Sequence, residues 1–222
     1  MSAVHVAQAQ ERKAIDHDVL HWINELDWEE DEDRFDQLAR RIFKFQFECC
    51  ESYARFCSAS GSQPESIKNW REIPAVPTGA FKEVSLRCFP EQNTKKTFRT
   101  SGTSTQHRGE LHLDSLTLYE ASLWASIKRF VFPDLPKSES MTLRILAPSS
   151  EEQPDSSLSH MFGQAMEKIG GDNSGYDIVS GELRTDQLLR ALARSSQSQQ
   201  PVALCGTAFA FVHLIDELAR KG

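Results

Sequence analysis

Residues 98–109 hold the side chains best suited to bind a phosphate group. Residues 100–105 read Thr-Ser-Gly-Thr-Ser-Thr, so five of the six carry a hydroxyl and the sixth is Gly102. Glycine permits a tight turn that brings backbone N–H groups close to an anion, and the hydroxyls add further donors. His107 and Arg108 follow as sources of positive charge. The segment therefore predicts a nucleotide-phosphate loop, although a polar surface turn before a strand has the same composition.

Two common classes of nucleotide site are excluded by their missing signatures. The chain has no Gly-x-x-x-x-Gly-Lys-Ser/Thr sequence, which P-loop proteins use to hold phosphates. It also has no Gly-x-Gly-x-x-Gly sequence, which opens dinucleotide-binding folds.

The order of residues in the loop resembles the phosphate-binding loop of the acyl-adenylate-forming superfamily, which includes acyl-CoA synthetases, adenylation domains and luciferases. The usual pattern there is Thr/Ser-Ser-Gly-Thr-Thr-Gly, a spacer and Pro-Lys. The matching residues are Thr100, Ser101, Gly102, Thr103 and, as a conservative replacement, Ser104. Thr105 stands where that pattern has a glycine, no Pro-Lys follows, and Arg108 is the candidate to replace the lysine.

A second segment narrows the resemblance. Residues 73–82 read Ile-Pro-Ala-Val-Pro-Thr-Gly-Ala-Phe-Lys and lie roughly twenty residues before the loop. They resemble the Ile-Pro-x-x-Pro-x-x-x-Phe-Lys element of LuxE-type acyl-protein synthetases, and phenylacetate-CoA ligases carry a related segment. Residues 204–209, where a predicted strand is followed by a helix, are a third and weaker point of resemblance. The chain thus resembles the N-terminal portion of the LuxE-type family.

The resemblance implies an activity and its cofactors. Members of that family activate a fatty acid with ATP and Mg²⁺, and the acyl group of the acyl-AMP passes to an enzyme cysteine and on to a reductase partner. We therefore expect a carboxylic acid substrate and an acyl reductase or other acyl-transfer protein as partner. The phosphates would be held by Thr100, Ser101, Gly102, Thr103 and Ser104, helped by Arg108. Lys82, His160 and Gly206 are candidates for the pocket, and no catalytic residue and no protein-held metal is assigned.

The length of the chain leaves alternatives open. Family members usually exceed 300 residues, and their adenine-binding motif, ribose-binding aspartate, acceptor cysteine and small C-terminal domain would all lie beyond Gly222. We expect the N-terminal part of such an enzyme or a shortened relative. An acyl-CoA ligase would share the loop and differ only in its acceptor. The other alternative is a non-catalytic binding or interaction module.

Composition and charge are those of a globular protein with one large or two small domains. Hydrophobic residues make up 39% and charged residues 26% of the 222 residues. The net charge of −7 argues against general binding to nucleic acid or anionic membranes. No apolar run approaches the ~20 residues of a membrane helix, and no signal peptide is evident, so a cytoplasmic location is expected. The five cysteines lack metal-site spacing and are expected to be free thiols.

The sequence predicts an α/β fold. A helical region, residues 1–62, precedes an α/β region, residues 63–222, which would be an incomplete adenylate-forming large domain. Helices are predicted at 9–26 and 33–59, with an acidic run at 28–33 between them. Three- and four-residue spacing in the second helix predicts a core stripe of Phe35, Leu38, Ile42, Phe45, Cys49, Tyr53 and Phe56. Gly61 is expected to end that helix, and Pro74 and Pro77 to impose an extended segment.

Strands and helices alternate after the loop, which predicts parallel pairing with helices on the sheet faces. The predicted strands are 109–113, 141–147, 176–179 and 202–205. The predicted helices run from Asp114 or Ser115 to about Phe130, from 156 to 169, from Thr185 to about Arg194, and onward from Thr207. Residues 195–200 are predicted as a loop.

Other candidate sites have simpler interpretations. The turn after Cys205 is a possible second wall of the site, with Gly206 permitting close approach, but a plain strand-to-helix turn is favoured. His213 is more consistent with a packed histidine than with a catalytic base. The cluster Ser156, Ser157, Ser159 and His160 suggests a hydrolase, but the Gly-x-Ser-x-Gly elbow is absent. His160 is instead a candidate for the acyl pocket.

Overall fold

The computed structural model describes residues 3–25, 29–100, 108–135, 140–199 and 201–221, and they form a mixed α/β structure. The chain divides into two compact units, Met1–Ala125 and Ser126–Gly222. The boundary proposed between residues 62 and 63 stays a prediction. None of the helices in the described ranges combines the length and apolar composition needed to cross a membrane.

Three helices open the first unit: α1 (Ala3–Ile23), α2 (Glu32–Cys49) and α3 (Glu51–Ala59). The described part of the acidic run begins α2, as predicted. The Asp31 side chain caps the helix by accepting a hydrogen bond from the Arg34 N–H at 2.9 Å. Two further carboxylates in the first turn favour the positive end of the helix dipole.

The prediction of one continuous helix over residues 33–59 is wrong, because the helix breaks at Cys50. This residue has an extended conformation (φ −116°, ψ 97°), ends α2 and precedes α3. Its N–H still donates to Gln46 O at 2.8 Å, and its carbonyl accepts from the Ala54 N–H at 2.9 Å. The N–H and the carbonyl of Cys50 therefore both keep hydrogen-bond partners at the break.

The predicted stripe is confirmed only in part by the core of the first unit. Phe45 and Tyr53 of the stripe are buried. The main cluster of buried residues holds Tyr53 together with Phe43, Cys50, Cys57 and Ile67, and Phe43 lies on another face of α2. The Phe43 and Tyr53 rings meet edge to face at 5.9 Å. Phe35 is 43% exposed and Phe56 is 36% exposed. Helix α2 has a second apolar face, so the predicted stripe identified only part of its packing.

The segment after α3 follows the sequence prediction. Gly61 has a positive φ of 72° and ends α3 with its N–H bonded to Ser58 O at 3.0 Å. Residues 74–77 are neither helix nor strand, and the Tyr53 hydroxyl donates to Pro74 O at 2.9 Å. A short helix, α4 (Ala80–Glu83), follows.

An antiparallel hairpin carries the predicted phosphate loop. Strand β1 (Lys96–Arg99) pairs with β2 (Glu110–Leu113), so Arg99 lies opposite Glu110 and Phe98 lies opposite Leu111. Helix α5 (Thr117–Ser126) and a π-helical turn (Ile127–Val131) come next.

The second unit is built on a parallel sheet, which confirms the predicted pairing for the strands at 141–147 and 202–205 and for Tyr176. The prediction is wrong for strand 109–113 and for residues 178–179, which pair antiparallel. The elements are β3 (Thr142–Leu146), α6 (Ser157–Ile169), β4 (Gly175–Tyr176), β5 (Ile178–Val179), β6 (Glu182–Leu183), α7 (Thr185–Ser198), β7 (Val202–Gly206) and α8 (Ala208–Lys221). The parallel sheet has the order β4-β3-β7, and every residue of β3 is buried. Strands β5 and β6 form a separate antiparallel pair.

The prediction that a loop begins at residue 195 is wrong, because helix α7 continues to Ser198. Ser195 is only 2% exposed, so packing holds this polar stretch in the helix. Gln199, with φ 54°, then ends it. Leu188 of α7 packs against Leu146, Ala210 and Leu214 in the core of this unit.

A buried ion pair joins the central strand to the chain after β4. Arg144 is 4% exposed and Asp177 is fully buried. The Arg144 Nε donates to Asp177 Oδ2 at 2.9 Å, and its Nη2 donates to Oδ1 of the same carboxylate. Its Nη1 donates to Asn173 O at 3.0 Å. Burial raises the pKa of Asp177, and the bonds from Arg144 oppose that shift.

Candidate functional site

The end of the β1–β2 hairpin brings Thr100 and Arg108 together. The Thr100 N–H donates to Gly109 O at 2.9 Å, and the Gly109 N–H donates to Thr100 Oγ1 at 2.9 Å. The Arg108 Nε donates to Thr100 O at 2.8 Å. Both Thr100 and Arg108 are exposed. A hydroxyl and a guanidinium are thus held at the two ends of the connection between the strands, which suits an anionic group.

The rest of the predicted phosphate loop is outside the part of the chain that the structure describes. These residues are Ser101, Gly102, Thr103 and Ser104, together with His107 of the same segment. Their contact with phosphate stays a prediction.

The segment 73–82 meets the base of this loop through Phe81. Gly109 is buried, and a Cβ atom placed on it would lie 3.4 Å from the Phe81 Cβ and 3.3 Å from the Thr100 Cγ2. Only a residue without a side chain fits here without displacing its neighbours. The structure therefore brings together two segments that the sequence analysis singled out separately.

An apolar cleft of about 330 Å³ lies beside the hairpin in the same unit. Phe81 and Leu111 line it near the loop, and Tyr53, Leu86 and Cys88 line it farther along. None of its described lining residues carries an ionised side chain. Such a cleft suits an uncharged apolar group of a small ligand.

Burial raises the pKa of two side chains that line this cleft. It raises the pKa of the Cys88 thiol to about 12 and also raises the pKa of the Tyr53 hydroxyl. The five cysteines are free thiols, as predicted. Within the described ranges, no group of three His, Cys, Asp or Glu side chains is arranged to hold a metal ion.

Lys82 is exposed on α4 beside Phe81 and lines neither this cleft nor the larger cavity near it. His160 and Gly206 belong to the second unit, Ser126–Gly222. His160 is partly buried in the first turns of α6, and Gly206 is the last residue of β7. The structure therefore groups Thr100 and Arg108 near Phe81 within the first unit. That Lys82, His160 and Gly206 line a pocket of the site stays a prediction.

The serine cluster and His213 have ordinary structural positions. Ser156 caps α6 by accepting a hydrogen bond from the Ser159 N–H at 3.1 Å, and Ser159 is 1% exposed. His213 is exposed on α8, so the prediction that it is a packed histidine is wrong. Thr207 caps α8, as predicted, by accepting from the Ala210 N–H at 3.2 Å.

Gly206 allows two strands to approach each other. It pairs with Leu146, and a Cβ atom at this position would lie 2.6 Å from the Leu146 Cβ and 2.9 Å from its carbonyl oxygen. This contact explains the glycine without a ligand and supports the plain strand-to-helix turn.

Replacing Gly206 by alanine is expected to destabilise the second unit by about 1–3 kcal/mol, because the strands must separate to admit a methyl group. Urea unfolding followed by far-UV circular dichroism measures the change. Gly79→Ala is the matched control, since a Cβ there would meet nothing within 4 Å. Equal effects of the two substitutions would contradict the packing role of Gly206.

Two features of the structure were missed by the sequence analysis. One is the Arg144–Asp177 pair, although an arginine within the predicted buried strand 141–147 was an available signal for a buried partner. The other is the apolar cleft. No local pattern indicates it, because its walls come from segments that are far apart in the sequence.

Comparisons of the chain with protein families, with curated proteins and with solved structures found no match.

Proposed function

We propose that this protein takes part in the ATP-dependent activation of a carboxylic acid, above all a fatty acid, to an acyl-AMP whose acyl group passes to a protein thiol. One observation carries the proposal: Phe81 lies beside Gly109 at the base of the Thr/Ser/Gly loop, where a Cβ on Gly109 would be 3.4 Å from the Phe81 Cβ. The two segments that resemble LuxE-type synthetases are therefore neighbours in space as well as in sequence. The apolar cleft beside them supports an acid with an uncharged apolar body.

The proposed reaction begins with attack of a carboxylate oxygen on the α-phosphorus of ATP. The bond from that phosphorus to the bridging oxygen breaks, and pyrophosphate leaves with both electrons of the bond. The hydroxyls of Thr100, Ser101, Thr103 and Ser104 and the N–H groups of residues 101–104 would hold the β- and γ-phosphates. Arg108, anchored through its Nε to Thr100 O, would add positive charge there. Such a site works by positioning and by neutralising charge.

The decisive experiment is ATP–pyrophosphate exchange with a panel of straight-chain and aryl acids. Exchange that depends on one class of acid is expected. A folded protein that shows no exchange with any acid contradicts the proposed activation and favours the non-catalytic binding module. Product analysis with CoA and with an acyl-carrier thiol distinguishes the acyl-CoA ligase from the acyl-protein route.

Replacing Thr103 by alanine is expected to weaken ATP binding by about 10- to 100-fold, which corresponds to losing one hydrogen bond to a charged phosphate. Isothermal titration with ATP and Mg²⁺ measures the affinity. Ser196→Ala removes a hydroxyl at an exposed position on α7, away from the lining of the cleft, and should leave the affinity unchanged. If Thr103→Ala bound ATP as tightly as the wild type, the Thr103 hydroxyl would not belong to the proposed site.

A further inference from the structure

A second, larger cavity lies next to the apolar cleft within the first unit. It has a volume of about 470 Å³ and is lined by α1, α2, residues 86–89, the end of β2 and the start of α5. The cleft and the cavity share Gln46, Leu86 and Cys88 as lining residues. Because they share walls, the two spaces adjoin each other. We call the two partly buried residues among these, Leu86 and Cys88, the ridge.

Strand β2 sets the direction from the loop through both spaces. Leu111 lines the cleft and Leu113 lines the larger cavity. Alternate residues of a strand point to the same face, so both side chains lie on one side of β2. At the rise of a β-strand, Leu113 lies roughly 14 Å along the strand from Gly109 at the loop base. A mostly apolar path thus runs away from the phosphate loop.

The larger cavity also has a polar part, and the apolar path ends there. Arg12 donates from Nε to Asp16 at 2.9 Å and from Nη2 to Asp114 at 3.2 Å, and all three residues line the larger cavity. These carboxylates already satisfy the guanidinium, so a further carboxylate gains little there. The remaining wall is mixed: Ile15 and Val19 from α1 and Ile42 from α2 are aliphatic, whereas Gln46, Arg87 and His112 are polar.

We infer that the acyl chain of the activated acid lies along this face of β2 and crosses the Leu86–Cys88 ridge, which makes Leu86 a determinant of chain length. The inference rests on the proposed function and adds to it the position of the acyl chain. Short and aryl acids end in the cleft, whereas long straight chains also fill the larger cavity. Each methylene that becomes buried is expected to improve affinity by up to about fourfold.

The test is the chain length at which affinity stops rising. Straight-chain acids from butanoate to dodecanoate are titrated calorimetrically without ATP against the wild type, Leu86→Phe and Leu86→Ala. In Leu86→Phe the larger side chain blocks the ridge, so affinity should stop rising at a shorter chain and dodecanoate should lose at least tenfold, while butanoate is unchanged. Leu86→Ala should keep the wild-type limit or extend it. Leu189→Phe, at a partly exposed site on α7 in the other unit, is the matched control.

A measurement on the wild type keeps the inference testable if Leu86→Phe fails to fold. Dodecanoate crossing the ridge should slow amide hydrogen exchange in residues 12–20 of α1, which line the larger cavity and not the cleft, whereas butanoate should not. Peptide mass spectrometry quantifies the exchange.

The outcomes separate the two proposals. One outcome is that affinity rises with chain length and Leu86→Phe lowers the length at which it stops rising, while no acid supports pyrophosphate exchange. This outcome supports the acyl path and contradicts the proposed activation. Acid-dependent pyrophosphate exchange, with an unchanged length profile in Leu86→Phe and no slower amide exchange in residues 12–20, supports activation and overturns the acyl path. Absence of both binding and exchange overturns both.

Discussion

Neutralising Asp177 as asparagine is expected to destabilise residues 126–222 by about 3–5 kcal/mol. Arg144 would remain in the interior, 4% exposed, without the carboxylate that accepts two of its hydrogen bonds. The cost of an uncompensated buried charge is much larger than the benefit of the intact pair over apolar side chains. The Arg144→Met, Asp177→Leu double variant should therefore recover most of the lost stability.

The sequence offers a probe for this unit alone. Cys205 is the one cysteine among residues 126–222, and all four tryptophans lie within residues 1–125. Pulsed alkylation of Cys205 against urea concentration measures unfolding of the second unit, while tryptophan fluorescence follows the first. Glu217→Gln makes the same neutralisation in the exposed pair with Arg220 and should cost less than about 1 kcal/mol. If Asp177→Asn lost as little stability as Glu217→Gln, the Arg144–Asp177 pair could not be fully desolvated.

Truncating Phe43 to alanine is expected to cost the first unit about 3–5 kcal/mol. The ring is 2% exposed and packs edge to face against Phe47 and Tyr53. Its removal loses buried apolar area and leaves a cavity that the surrounding helices fill only in part. Urea unfolding followed by circular dichroism and tryptophan fluorescence measures the change.

Phe35→Ala is the matched control for Phe43→Ala, because the chemical change is identical and the site is 43% exposed. Phe35 keeps edge contacts with Trp22 and Trp70, so a cost of about 1 kcal/mol is expected. The sequence-based stripe contained Phe35 and not Phe43. A larger loss for Phe35 than for Phe43 would support that stripe over the core of the structure.

Much of the secondary structure could be predicted because its signals are local. Ser156 and Thr207 cap the helices that follow two strands, and Gly61 ends α3. The alternating strand–helix order also predicted the parallel pairing of β3 with β4 and β7. In each of these cases a side chain or a missing side chain determines the local backbone.

The errors arise where tertiary packing decides. No proline or glycine marks the break at Cys50, and α2 has apolar residues on two faces, so periodicity alone could not choose the core face. Serines favour a loop at residues 195–198, yet the burial of Ser195 keeps them in α7. Of the candidate site, the sequence indicated Thr100 and Arg108, but the cleft depends on residues as distant as Tyr53 and Leu111.

The high pKa of Cys88 bears on how long a reactive acyl group would survive beside it. With a pKa of about 12, only about one Cys88 thiol in 10⁵ is ionised at pH 7. A mixed anhydride formed near the cleft would therefore meet a sulfur that is too weakly nucleophilic to capture it. Self-acylation and oxidation to the sulfenic acid are both suppressed. In the proposed acyl path, this soft sulfur atom would fill space without competing for the activated acid.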